Sequence, residues 1–235
     1  MAQIQRVFVT GGTGYIGTRL IPALHARGHE VIALARETSR KKLPWNCTPV
    51  TGDALDGESY RNFVDGVDTF VQLVGVPHPS PAKAEQFRRI DLKAGLEAVR
   101  IASAAKVRHF IYVSVAQPAP VMQSYQAVRA ECERALADSG LPATVLRPWY
   151  VLGPGHLWPY CLLPFYKAAE LLPRTRESAR RLGLISIQQI VRALARAVDE
   201  PCEGTRILSV SDIRAFGARP PRIQQKQPHF KEKKE

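Results

Sequence analysis

Short apolar runs alternate along the chain with longer segments whose apolar residues recur at helical spacing. The apolar runs predict strands over residues 4–9, 31–35, 49–51, 69–74, 109–115, 143–146 and 205–210. The amphipathic segments predict helices over residues 15–27, 58–64, 84–105, 125–138 and 184–198. Regular alternation of strands and helices indicates a parallel sheet covered by helices on both faces. The sequence therefore predicts an α/β fold, a doubly wound parallel sheet of the Rossmann type.

The composition changes after Arg147-Pro148. Residues 149–173 are rich in proline, aromatic residues and leucine, and they do not fit another strand–helix repeat. We expect a small cap region over about residues 149–183, at the carboxyl ends of the strands where ligands bind in this architecture. Residues 219–235 are basic, rich in proline and glutamine and nearly devoid of apolar residues, which predicts a disordered tail. The expected organisation is a single domain over residues 1–218, followed by that tail.

Charge and cysteine content narrow the classes of function. The chain has 33 basic and 21 acidic residues, a formal net charge of +12, which favours anionic partners. The four cysteines (Cys47, Cys132, Cys161 and Cys202) are far apart, so the sequence predicts neither a metal site nor a disulfide framework. No apolar stretch is long enough to span a bilayer, and the first residues lack the pattern of a signal peptide. We therefore expect a cytoplasmic protein.

The strongest motif is Thr10-Gly11-Gly12-Thr13-Gly14-Tyr15-Ile16-Gly17, which joins the first strand to the first helix. Its glycines allow a tight turn, a close approach of backbone to a pyrophosphate, and close packing of helix on strand. Backbone N–H groups and the positive end of the helix then face the diphosphate. The motif predicts a nicotinamide dinucleotide site, with cofactor contacts from Gly11, Thr13, Gly14, Tyr15, Ile16 and Gly17.

The end of the second strand bears on the choice of cofactor. Proteins that bind NAD usually place an acidic residue there for the ribose 2′-hydroxyl. This chain has Leu34-Ala35-Arg36 instead, and an arginine can hold a 2′-phosphate through two hydrogen bonds. The sequence favours NADP(H) over NAD(H), with Arg36 as the contact. The alternative is that Arg36 simply lies in solvent.

Further motifs follow the glycine loop in order. Gly52-Asp53-Ala54 follows the third strand, and Val71–Val76 carries Gly75 at the end of the fourth. Ser114 ends the fifth strand, Tyr125 follows it, and Arg147-Pro148 ends the sixth. Together these motifs, spread over residues 4–214, resemble the short-chain dehydrogenase/reductase superfamily. The resemblance is to its extended and atypical branch, which includes proteins similar to NAD-dependent epimerases and dehydratases.

The resemblance implies roles for these residues. Asp53 and Ala54 would contact the adenine, and Val74 and Gly75 would pass beneath the adenosine ribose. Pro148 would form a wall of the nicotinamide site. Family dehydrogenases use Ser, Tyr and Lys, with tyrosine and lysine four residues apart on one helix face. Ser114 and Tyr125 match that pattern, but Arg129 stands in the lysine position.

Two interpretations of these three residues stay open. In the first, Tyr125 is the general acid/base, Ser114 polarises a carbonyl, and Arg129 replaces lysine as a cation that also binds the cofactor ribose. Arginine is permanently charged and cannot relay a proton. In the second, Tyr125 and Ser114 are ordinary surface and strand-end residues, and the cofactor serves another purpose.

The first hypothesis for function is thus an NADP(H)-dependent oxidoreductase that reduces a carbonyl, a quinone or a similar small acceptor. The second is a non-catalytic NADP(H) sensor or assembly subunit, which the arginine and the basic tail favour. Epimerase or dehydratase chemistry on a sugar nucleotide is a weaker version of the first hypothesis, because only a short cap region is available to hold such a substrate. Only the net charge supports nucleic-acid binding, since the sequence contains no recognised nucleic-acid-binding module. A homodimer and an acidic protein partner stay open as well.

The remaining polar and aromatic residues give weaker signals. His78 and His156 are expected in loops that face the cleft, as ordinary loop histidines or as substrate contacts. The cap aromatics would line an apolar pocket or form a capping core; they are Trp149, Tyr150, Trp158, Phe165 and Tyr166. Glu85 and Asp91 lie on a helix with Arg88 and Arg89, a pattern typical of a solvated charged face.

Overall fold

The computed structural model describes residues 3–155 and 182–218. Nine strands lie in this part of the chain: β1 (Arg6–Thr10), β2 (Glu30–Ala35), β3 (Thr48–Thr51), β4 (Thr69–Gln72), β5 (His109–Val113), β6 (Ala143–Leu146), β7 (Tyr150–Leu152), β8 (Leu184–Ser186) and β9 (Thr205–Leu208). Seven of them form one sheet in the order β3-β2-β1-β4-β5-β6-β9, and every neighbouring pair is parallel. The predicted doubly wound sheet is confirmed.

In the described residues, five helices of nine or more residues cover the sheet: α1 (Gly17–His25), α2 (Lys93–Ala104), α3 (Gln123–Asp138), α4 (Ile187–Asp199) and α5 (Val210–Ala218). Where a helix was expected over 58–64, the chain forms two 3₁₀ turns, Gly57–Ser59 and Arg61–Phe63. A further 3₁₀ helix, Glu37–Lys42, follows β2. The prediction of a strand through residue 210 is wrong, because β9 ends at Leu208 and α5 begins at Val210.

Alternate residues of the strands contribute side chains to two apolar layers, one on each face of the sheet. Val7 and Val9 of β1 face the layer that holds α1, α4 and α5, whereas Phe8 faces the layer that holds α2 and α3. Val31 and Ile32 of β2 divide in the same way. Because side chains alternate across a strand, continuous apolar runs are what a sheet covered on both faces requires.

The segment before α2 departs from a regular helix. Ala84–Gln86 forms one α-helical turn, and Phe87–Leu92 then forms a π-helical segment that continues into α2. Extra residues of this kind shift a helix face and occur often at functional sites. The single helix expected over 84–105 is therefore interrupted, and the interruption turns Phe87 and Asp91 inward.

A second, two-stranded parallel sheet joins β7 to β8. Sequence reasoning missed both of its strands, since it expected a cap region without strands over about residues 149–183 and a helix from 184. The helix instead begins at Ile187, where Ser186 and Gln189 form a reciprocal capping box. The rest of the predicted cap and the predicted tail lie outside the described residues. In the described part, no helix is long and apolar enough to cross a bilayer, and no cluster of residues could hold a metal ion.

Candidate functional site

The glycine loop makes a turn that only small residues allow. Gly11 has φ of +72°, and a Cβ there would lie 2.8 Å from the backbone carbon of Leu73. A Cβ at Gly17 would overlap the carbonyl oxygen of Gly11. The Gly14 N–H donates to that same oxygen at 3.0 Å, which closes the turn. Glycine is therefore required for the turn and for the packing of α1 on β1.

The amino end of α1 points out of this turn without a competing anion. Ile16 at the N-cap makes no side-chain capping hydrogen bond, and the first turn contains no acidic residue. The first backbone N–H groups of a helix have no intrahelical acceptor, and they carry the positive end of the dipole. This end of α1 is suited to a phosphate group.

A cavity of about 320 Å³ lies beside the loop, at the carboxyl ends of β1, β2 and β4. Its volume is in the range of small-molecule sites. Eight of the predicted cofactor contacts line it: Gly11, Thr13, Gly14, Arg36, Asp53, Ala54, Val74 and Gly75. The structure thus brings together residues that the sequence separates by more than sixty positions.

The rim of the cavity at the end of β2 carries a cation and a hydroxyl. Arg36 is exposed, and Ser39, which sequence reasoning missed, also lines the cavity. The neighbouring acidic residue, Glu37, is outside the lining and accepts a hydrogen bond from Thr51 Oγ1 at 3.0 Å. The hydroxyl at the third position after Arg36 was the available signal for Ser39.

The turn after β3 holds Asp53 against the opposite rim. The Leu55 N–H donates to Asp53 Oδ1 at 3.0 Å, and the Asp53 N–H donates to Ser59 Oγ at 2.9 Å. These bonds fix the carboxylate at the cavity edge while the residue stays exposed. An acceptor in this place suits an exocyclic amino group.

Arg129 lies behind the cavity wall, not in it. The side chain is 6% exposed, and a Cβ on Gly75 would overlap its Nη2 atom. Nη1 donates to the Val113 carbonyl at 3.0 Å and to the Tyr112 hydroxyl at 3.3 Å. The predicted contact of Arg129 with a cofactor ribose stays a prediction, because Gly75 separates the guanidinium from the cavity.

Asp91 is the partner of that guanidinium, and the prediction of a solvated charged face is wrong at this position. Its carboxylate is fully buried, accepts from Arg129 Nη2 at 2.5 Å, and accepts from the Val76 N–H at 3.0 Å. Burial raises the pKa of Asp91, and the charge of Arg129 opposes that rise. Asp91 continues the buried stripe of Phe87, Ala94 and Ala98, and its place in that stripe could have revealed it.

Tyr125 is half-buried beside this pair. The guanidinium carbon of Arg129 lies 5.0 Å from the centre of its ring, and the ring of Phe87 lies 4.9 Å away on a tilted plane. Tyr125 also packs against the apolar cluster that contains Val76, whose neighbour Gly75 lines the cavity. The expected placement of Tyr125 and Arg129 on one helix face is what the structure has.

Ser114 does not join Tyr125. Its hydroxyl donates to Glu133 Oε1 at 2.5 Å, and Arg147 holds the same carboxylate through Nε and Nη2. No hydrogen bond links Ser114 to Tyr125 in the described structure. The expectation that Ser114 polarises a carbonyl beside Tyr125 therefore lacks the required contact, since the hydroxyl meets α3 at Glu133, about two helical turns beyond Tyr125.

The other expected contacts lie near the cavity but outside its lining. Tyr15 and Ile16 pack partly against the core, Gly17 is buried beneath the loop, and Pro148 is buried, with its carbonyl accepting from the Ala116 N–H. His78 is exposed and its carbonyl accepts from Lys83 Nζ, while Trp149 packs on the core in a T-shaped contact with Tyr150. His156, Trp158, Phe165 and Tyr166 lie outside the described residues.

Comparison with known proteins settles the family. A family model described as NAD(P)H-binding matches residues 11–155, more than half of the chain. This chain belongs to the NAD(P)H-binding family. A 3-diazoavenalumate denitrifying reductase from a Streptomyces species is 30% identical over 258 residues, which cover 92% of this chain and 83% of the relative. The resemblance to atypical short-chain dehydrogenases is confirmed.

Two further similarities are to a relative named as a reductase and to a solved structure with the same fold. A ceramide reductase of Caulobacter vibrioides is 25% identical over 214 residues, covering 90% of this chain and 66% of the relative's length. The structure of the Bordetella bronchiseptica enzyme WbmH in complex with NAD⁺ superposes with a TM-score of 0.66 at 23% identity, over 88% of this chain and 75% of that one. The predicted class of cofactor, a nicotinamide dinucleotide, is confirmed by the NAD(P)H-binding family model.

Proposed function

We propose that this member of the family is an NADPH-dependent reductase of a small carbonyl, quinone or similar acceptor, with Tyr125 as its proton donor. The observation that carries the proposal is the fixed contact of Arg129 with Tyr125 directly behind Gly75. A surface tyrosine without a chemical role would not require a permanent cation over its ring, or a buried carboxylate that anchors that cation.

The cavity supports the choice of cofactor. The glycine loop and the amino end of α1 would hold the diphosphate, and Asp53 would accept from the adenine amino group. Arg36 and Ser39 would bind a 2′-phosphate, while Glu37 is held away by Thr51. NADPH supplies the hydride when it is bound.

The protein's own residues would supply the proton and the orientation. The Tyr125 hydroxyl donates its proton to the acceptor oxygen, and Arg129 offsets the negative charge left on the phenolate. Asp91 holds the guanidinium in place and does not meet the substrate. Ser114 has no part in this proposal, since its hydroxyl is engaged by Glu133.

Turnover tests the proposal. Purified protein with NADPH is offered quinones, aldehydes and ketones, and NADPH oxidation is followed by absorbance at saturating cofactor. We expect oxidation with at least one acceptor and a fall of about 100-fold or more in kcat for Tyr125→Phe, the size of a lost general acid. Tyr60→Phe is the matched control, because the Tyr60 hydroxyl is buried without a hydrogen-bond partner.

The outcomes separate the hypotheses. Equal turnover in Tyr125→Phe and the native protein would remove Tyr125 from the chemistry. Tight NADPH binding without oxidation of any acceptor would favour the sensor or assembly role. A cytoplasmic location and a homodimer stay predictions.

A further inference from the structure

Two large apolar side chains are unusually exposed. Trp45 is 87% exposed and Ile4 is 66% exposed, the highest values for large hydrophobic side chains among the described residues. Single exposed apolar residues are ordinary on protein surfaces, whereas neighbouring ones indicate an interaction site. Whether Trp45 and Ile4 lie near each other therefore decides whether they can form one interaction site.

Both side chains flank the carboxyl end of α1. The Trp45 ring lies 5.9 Å from the ring of His25, edge to face. Ile4 packs over Gly28, where its Cγ1 atom would lie 4.0 Å from an added Cβ. The Gly28 N–H donates to the His25 carbonyl at 2.8 Å, so the two contacts are on adjoining turns of one chain segment.

The segment that carries Trp45 is anchored on both sides of it. Leu43 and Cys47 pack against the core cluster, and the Cys47 thiol donates to the Pro44 carbonyl at 3.1 Å. The outward orientation of Trp45 therefore belongs to a fixed turn and not to a loose loop. Such a turn presents the indole to solvent.

Positive charge accompanies the indole. Arg40, Lys41 and Lys42 form the last turn of the 3₁₀ helix just before it, and all three are exposed. None of them forms an ion pair with any other described residue. These cations are therefore available to an anionic partner.

We propose that this surface, formed by Ile4, Arg40, Lys41, Lys42 and Trp45, docks the protein on an anionic lipid membrane. Tryptophan favours the boundary between headgroups and acyl chains because its indole has an apolar body and one polar N–H. Exposed lysine and arginine are drawn to the negative surface of such a membrane. The attachment is peripheral, since it involves side chains and no spanning segment.

The composition of the surface favours lipid over other anions. A nucleic-acid site stacks successive bases on several aromatic side chains along a basic groove. Here the aromatic rings are the Trp45 indole and the His25 imidazole set edge to face against it, with no further aromatic ring beside them in the described residues. The aliphatic Ile4 suits insertion into an acyl boundary. Trp45 is also absent from the cofactor cavity, so docking and cofactor binding use separate residues.

Sedimentation with vesicles tests the proposal. The full chain is mixed with vesicles of phosphatidylcholine alone or with phosphatidylserine added, at low and physiological salt. We expect salt-sensitive binding to the phosphatidylserine vesicles, weakened about tenfold in Trp45→Ala and at least as much in the double variant Lys41→Glu/Lys42→Glu. Each variant must still bind NADPH, which confirms its fold.

The matched control is Lys93→Glu/Arg134→Glu, which makes the same change of charge on α2 and α3, on the other face of the sheet. It should bind within about threefold of the native protein if the surface is specific. Quenching of fluorescence by brominated lipid should be greater in the native protein than in Trp45→Phe. Binding that is equal in all variants, absent from both vesicles, or seen only with an RNA of matched charge would overturn the proposal.

Discussion

The cavity has two differently built sides. The glycine-loop wall, made by Gly11, Gly14 and the turns after β2 and β3, consists of backbone, short side chains and the exposed Arg36. The tyrosine wall is Gly75 with Asp91, Tyr125 and Arg129 behind it, and it depends on a buried ion pair between residues 38 positions apart. The first wall follows from local sequence rules, whereas the second exists only when distant elements pack together.

This difference has an energetic side. A wall of turns requires small residues but buries no charge. A wall built on a buried ion pair is sensitive to loss of either partner, because the remaining charge is then unpaired and cut off from water. Substitutions on the two walls should therefore have different effects: mainly on stability at the tyrosine wall, and mainly on cofactor binding at the glycine-loop wall.

The largest expected effect is on the tyrosine wall. Asp91→Ala leaves Arg129 charged, buried and without its carboxylate, so we expect a loss of about 3–5 kcal/mol in the free energy of unfolding. Urea denaturation measures it. Asp138→Ala, an exposed change on α3, should stay within about 0.5 kcal/mol. A loss below about 1 kcal/mol in Asp91→Ala would show that the pair is not a structural anchor.

His109, a buried titratable residue outside both walls, gives a reference for the effect of such burial on stability. His109 lies at the amino end of β5, fully buried, and burial together with the charge of Arg206 lowers its pKa from 6.5 to about 4. Below pH 6.5, His109 is protonated in the unfolded chain but stays neutral in the folded protein. The free energy of unfolding therefore falls as the pH drops towards 4, by up to about 3 kcal/mol.

Urea denaturation at several pH values checks this dependence. His109→Gln should lose part of the slope between pH 6.5 and 4.5, whereas His25→Gln, at an exposed site, should keep it. Identical slopes in His109→Gln and the native protein would contradict a neutral His109.

Gly75 is the position where the two walls meet. A methyl group there overlaps Arg129 Nη2, so Gly75→Ala should cost about 1–3 kcal/mol in stability and should displace the guanidinium. The same change in an Arg129→Met background should cost less, because the clash is gone. Additive costs, measured by a double-mutant cycle, would show that the two residues do not interact.

The smallest effect is expected on the glycine-loop wall. Ser39→Ala removes one hydroxyl at the rim and should weaken NADPH binding by about fivefold to tenfold, within the range of one ordinary hydrogen bond. NADH binding should not change. Equal effects on both cofactors would place Ser39 away from the 2′-phosphate.

The sequence allowed the fold and the glycine-loop wall to be predicted, because apolar periodicity and the spacing of Gly11, Gly14 and Gly17 are local. The position of Arg36 at the cavity rim followed from the end of β2 in the same way. Strands β7 and β8 were missed because each is three residues long and, within the part of the chain that the structure describes, pairs with the other alone.

The tyrosine wall could be predicted only in part. Tyr125 and Arg129 share a helix face by spacing alone, and the stripe of Phe87, Ala94 and Ala98 could have placed Asp91 inward. The π-helical segment itself has no local signature. Nor could spacing show that the Ser114 hydroxyl bonds to Glu133, because that contact depends on how α3 lies over the sheet.

The most direct test of the central claim is a titration of the native protein with NADPH and with NADH, followed by nicotinamide fluorescence. We expect saturable binding of both cofactors, with NADPH bound at least about tenfold more tightly, the worth of a charge-assisted contact to the 2′-phosphate. Tighter binding of NADH would contradict the role given to Arg36 and Ser39. Binding of neither cofactor would contradict the account of the cavity as a whole.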